Sequence, residues 1–159
     1  MKHFSLIFLA MAGLAFACCT KADKVNPEEQ ASNAYFYSRI RSEVLYIDKD
    51  QSAFILQRIG INDKGDGTPA EANRNGDAIT LPYTLEGNHF LFKEGCYLSN
   101  GITVDAIAFE KARFDAVGNL IVLMANYIPD GDTYHKDPHP ESTWEVIYSR
   151  KELIFIDQD

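Results

Sequence analysis

Ile79-Thr80-Leu81-Pro82-Tyr83-Thr84-Leu85, then Glu86-Gly87-Asn88, then His89-Phe90-Leu91-Phe92-Lys93: this stretch decides the fold class. Ile79, Leu81, Tyr83 and Leu85 alternate with Ala78, Thr80, Pro82 and Thr84. A period of two puts one set on one face of a strand, whereas a helix needs a period near 3.6. Glu86-Gly87-Asn88 supplies turn residues, and Phe90 and Phe92 share a face on the return, so the stretch reads as a β-hairpin. Pro82 has no N–H to give to a ladder, which predicts an edge position or a bulge there.

The same grammar continues on both sides. Thr103 to Phe114 runs into Asp115-Ala116-Val117-Gly118-Asn119, where Gly and Asn supply positive φ for a tight turn, and returns as Leu120 to Ile128. Leu120-Ile121-Val122-Leu123-Met124 is apolar on both faces and predicts a central strand. Trp144, Val146 and Tyr148 alternate with Glu145, Ile147 and Ser149, and Leu153 to Ile156 follows a further turn. Upstream, Glu43 to Ile47 and Ser52 to Ile61 flank Asp48-Lys49-Asp50-Gln51 as another hairpin. Asn26 and Pro27 have the chemistry of a helix cap and first turn, so Pro27 to Ala31 predicts one short helix. Asn62 to Asp77 and Pro129 to Ser142 read as long loops.

The outcome is an all-β domain, an antiparallel up-and-down meander with no room for the crossover helices of a parallel sheet. Closing the meander into a barrel removes exposed edges; a β-sandwich is the alternative. The chain has 159 residues, 15 Lys plus Arg against 23 Asp plus Glu, and a net charge of −8. That balance excludes nucleic acid as the main partner, since binding it takes an excess of Lys and Arg.

The first segment is an address. Met1-Lys2-His3 precedes an apolar run from Phe4 to Ala17, too short to span a bilayer and suited to the core of a secretory signal. It ends in Leu14-Ala15-Phe16-Ala17-Cys18-Cys19. Small residues before a cysteine resemble the bacterial lipoprotein signal, which implies a lipid on Cys18 as the mature N-terminus. A plain signal peptide cleaved after Ala17 is the other reading. Residues 1–17 are thus expected to be the signal, the polar residues 18–34 a tether, and residues 35–159 one domain. Cys19 and Cys96 remain as a conceivable disulfide pair. Lys21 and Asp23 resemble the surface-export signals of Gram-negative lipoproteins. The expected location is therefore the cell envelope, as an outer-membrane lipoprotein on its periplasmic or surface side.

Size, address and the hairpin from Tyr83 to Phe92 are similar to the small lipocalin-like (calycin-like) domains of secreted bacterial lipoproteins. The resemblance implies a barrel around a core or a ligand cavity. No nucleophile elbow, His-Glu-x-x-His or phosphate loop is present, so an enzyme is not expected and no cofactor is assigned. The calcium-loop pattern at Asn62 fails at Lys64 and Asn73. His135 and His139 share a carboxylate-rich loop, but Pro138 and Pro140 keep them off a common helical face, and no metal site is assigned. Glu110 reads as solvent-facing beside Lys111 and Arg113, or else as a cavity residue. Tyr83, Phe92, Trp144 and Tyr148 supply large amphipathic faces suited to a cavity wall or to a filled core. The functional expectation is a membrane-tethered, non-enzymatic binding module for a small apolar or amphipathic ligand. The alternative is a protein-interaction or inhibitor lipoprotein acting through its loops.

Overall fold

A turn of helix leads into the strands. In a computed structural model that describes residues 26–93, 97–99 and 106–156, helix α1 (Pro27–Ala31) opens with Asn26, whose Oδ1 accepts the Glu28 N–H at 3.0 Å. The strands follow as β1 (Tyr35–Ser38), β2 (Glu43–Asp48), β3 (Ala53–Asn62), β4 (Ala70–Glu86), β5 (His89–Phe92) and β6 (Tyr97–Ser99). They continue as β7 (Ala106–Phe114), β8 (Leu120–Asp130), β9 (Thr133–Lys136), β10 (Thr143–Lys151) and β11 (Leu153–Phe155). The domain is all-β.

Pairing runs β1–β2–β3–β4–β5–β7–β8–β10 and back to β1, antiparallel at every step. These strands form a closed ring. β6 adds to β7, β9 folds back on β8, and β11 lies parallel to the start of β4. Side-chain caps make the tight turns. Asp48 Oδ1 accepts the N–H groups of Asp50 and Gln51, each at 3.1 Å, and Asp115 Oδ1 accepts those of Val117 and Asn119, each at 2.9 Å. Gly118 takes φ +88°, the left-handed geometry expected of this turn.

Pro82 sits where β4 changes partners. It pairs with Ala53 of β3, and its carbonyl accepts the Lys93 N–H at 2.9 Å. Higher on β4 the register against β3 slips between Leu56 and Arg58. Gln57 Nε2 donates across this bulge to the Gly76 carbonyl at 2.7 Å, and Gly76 has φ +77°.

Alternation sends Phe36, Phe54, Phe90 and Phe109 inward as fully buried rings. Phe90 lies edge-on to both Phe54 and Tyr83, with centroids 4.9 Å apart in each case. β8 is central, as its doubly apolar run implies: Leu120, Val122 and Met124 are buried inward, Ile121 and Leu123 half-buried outward. A smaller outer cluster of Val44, Ile59 and Ala72 is covered by Leu153 and Phe155 of β11, with the Arg74 guanidinium 4.4 Å over the Phe155 ring.

Three sequence readings change. Ala31 and Ala34, expected in the tether, are core residues, so the fold already includes them. The loop expected over Asn62 to Asp77 shrinks, because β4 already begins at Ala70. The loop expected over Pro129 to Ser142 contains β9. The signal, Cys18, Cys19, Cys96 and the start of the Thr103 strand lie outside the described residues.

Candidate functional site

The two ends of the ring differ in chemistry. At the lower end, reached by the turns after β2, β4 and β7, α1 lies across the opening. Tyr83 Oη donates to Glu28 Oε1 at 2.7 Å and fastens the helix to β4. Burial, and then that bond to a carboxylate, push the Tyr83 phenol above its ordinary value. Pro27 and Ala31 are buried beneath the helix, and an outer groove of about 660 Å³ separates it from Leu85, Asn88 and Phe114.

At the upper end a polar row runs from the interior out to the surface. Ser38 pairs with Glu43, Glu43 with Arg58, and Arg58 with Asn75, on four successive strands. Glu43 is 2% exposed. Such burial is strongly unfavourable for a carboxylate unless it is paired and hydrogen-bonded. Arg41, in the β1–β2 turn, supplies a two-pronged grip: Nε to Oε2 at 2.7 Å and Nη2 to Oε1 at 3.0 Å. Tyr148 Oη, from β10, donates to Oε2 at 3.0 Å. Burial on its own lowers the Arg41 guanidinium, but the bonds and charge of Glu43 outweigh it and hold Arg41 above its ordinary value. Burial and the neighbouring Glu43 charge push the Tyr148 phenol well up. Beside this cluster, the Ser38 hydroxyl is buried without a hydrogen-bond partner among the described residues.

Next to the row lies a cavity of about 320 Å³. Leu56, Ile79 and Leu98 form its apolar wall, while Glu43, Arg58, Asn75 and Asp77 form its polar one. Arg41 neutralises Glu43, so the free charges at this wall are Arg58 and Asp77, both exposed and without an ion pair among the described residues. The cavity thus offers one cation, one anion, the Asn75 amide and a short apolar surface.

The aromatic residues named from sequence lie elsewhere. Tyr83, Phe92 and Tyr148 are 3%, 8% and 0% exposed and belong to the inner core, and Trp144 is half-buried against it. None of the four lines this cavity. Their period of two placed them correctly on inward faces, but those faces are filled at their level. Glu43, Arg58, Asn75 and Asp77 escaped sequence reasoning: Glu43 and Arg58 read as isolated charges in strands, and Asn75 and Asp77 fell in the stretch read as a loop. Arg58 opposite Glu43 becomes visible only once the β2–β3 register is known.

The other candidates are occupied in local structure. Asp63 accepts Lys151 Nζ and the Gly65 N–H, and Asp66 accepts the Thr68 N–H and hydroxyl. Asp137 caps the turn before β10 by accepting the His139 N–H and the Ser142 hydroxyl. Glu110, at the bulge in β7, is half-buried rather than freely solvated: it accepts Lys136 Nζ at 2.7 Å and Tyr127 Oη at 3.2 Å. Among the described residues no three His, Cys, Asp or Glu side chains converge as a metal site, and no helix is long and apolar enough to cross a membrane. Comparison with family models, with curated proteins and with solved structures finds no match to the chain.

Proposed function

We propose that this is a lipid-anchored, non-enzymatic binding module of a Gram-negative outer membrane, with a small amphipathic ligand seated in the upper cavity. Cys18 carries the lipid, and the ring closes as a small lipocalin-like barrel. The register supports closure. Leu120 pairs with Phe114 on one side and Tyr148 on the other. Followed from Tyr148 past Ser38, Glu43 and Arg58, the row meets β4 at Asn75; followed from Phe114 past β5 it arrives near Glu86. A stagger of roughly a dozen residues per circuit gives the strand tilt that a closed eight-stranded barrel needs.

The observation that carries the binding reading is the asymmetry of the ends. The lower end is closed by α1 and an aromatic core, while the upper end keeps a cavity with one apolar and one polar wall. A few polar groups beside an apolar surface are what orient a small molecule. Titration calorimetry of the full chain with octyl glucoside tests this. Heat of binding that disappears in Ile79→Asp, with an unchanged melting temperature, is the expected result. Absence of binding of octyl glucoside and of short-chain amphiphiles alike in the unaltered protein overturns it.

A further inference from the structure

The cavity's charges narrow the ligand class. Glu43 is saturated by Arg41 and Tyr148, so it is no docking point for a cation. Arg58 and Asp77 are opposite in sign, line the same cavity and have no ion-pair partner among the described residues. Register puts Asn75 opposite Arg58, and Asp77 follows two residues along β4, beyond the Gly76 bulge. The apolar wall between them is short, and about 320 Å³ is at the small end of ligand clefts, which span roughly 300–1,000 Å³.

A simple anion is opposed by Asp77 and by the net charge of −8, and a simple cation meets Arg58. A ligand with both charges and no net charge satisfies both side chains. We propose, on the basis of the binding reading above, that the cavity takes a zwitterion with an apolar side chain, an α-amino acid or very short peptide. Its carboxylate lies at Arg58 and Asn75, its ammonium at Asp77, and its side chain on Leu56, Ile79 and Leu98. Arg58 suits the carboxylate because a guanidinium presents paired donors to two oxygens.

Three probes with matched carbon chains test the proposal on the full chain by calorimetry. Norleucine carries both charges, hexanoate lacks the ammonium, and pentylamine lacks the carboxylate. Norleucine is expected to bind at least about tenfold more tightly than either, the effect of one charge-assisted pair. Arg58→Gln should erase its advantage over pentylamine, and Asp77→Asn its advantage over hexanoate, with melting temperatures unchanged because both residues are exposed. If hexanoate or pentylamine equals norleucine, or if neither substitution matters while octyl glucoside still binds, the zwitterion assignment falls and the binding reading stands. If none of the four compounds binds, both fall.

Discussion

Glu43 is the side chain on which the interior most depends, because its charge is held away from water by two neighbours. Arg41→Met strands a buried carboxylate and should cost about 3–5 kcal/mol in urea unfolding. Tyr148→Phe removes one hydrogen bond to a charged group, for about 1.5–3 kcal/mol. Replacing the cluster together, Arg41→Met with Glu43→Leu and Tyr148→Phe, should recover most of the first loss, since packed apolar groups leave no buried polar atom without a partner. Alkaline pH gives an independent check. Tyr148 and Tyr83 are both raised in the folded state, so the folded protein keeps their protons more tightly than the unfolded chain does. Their contribution is full below the unfolded tyrosine value of about 10 and is lost as pH rises above it. The urea midpoint should hold from pH 8 to 9.5 and fall beyond pH 10, less steeply in Tyr148→Phe; an equal fall in both proteins refutes the assignment. None of this was legible in the sequence. Ser42-Glu43-Val44 reads as the start of a half-exposed strand, and the Tyr148 partner is 105 residues away.

At the scale of elements, local signals were read well and long-range ones were not. Helix α1 followed from its cap: Asn26→Ala should cost about 1 kcal/mol, measured by thermal unfolding, and a change within error excludes a capping role. The Ile79–Lys93, Glu43–Ile61 and Phe114–Leu120 hairpins were legible because turn and alternation are written next to one another. β1 is short, with Tyr35 and Tyr37 outward and Phe36 and Ser38 inward, so aromatics on both faces blur its period. β9 is exposed throughout, and a strand with no buried face has no hydrophobic pattern to read. β11 turned up as expected, but its parallel pairing with Ala70–Ala72 depends on residues some 80 positions upstream. The candidate site was the least legible part, since the Gly76 bulge and the Arg58–Asn75 pairing that build it exist only after β3 and β4 have met.

For the whole molecule, the all-β class was legible from periodicity alone, whereas ring closure rests on β1 meeting β10 across most of the chain. The anchor is open to direct test: mass spectrometry of the mature protein should show Cys18 as a lipid-modified first residue, and an unmodified Cys18 refutes it. The direction in which the chain enters the fold then sets how the molecule stands. Asn26 and α1 lie at the closed end, and along β4 the cavity residues Asn75 to Ile79 lie at the opposite end from Leu85 beside the helix. From a lipid on Cys18 to Asn26, an extended chain reaches no further than roughly 25–30 Å at about 3.5 Å per residue. On the proposal that Cys18 is lipidated, so short a leash would hold the helix end towards the bilayer and turn the mouth outward. On the same proposal, cargo would have to arrive through the aqueous phase rather than slide in from the host membrane, and solubility in water would become the first filter on what can be captured. Capture rates for norleucine should accordingly match in detergent and in liposomes, and a rate that tracks lipid composition would place the mouth at the membrane instead.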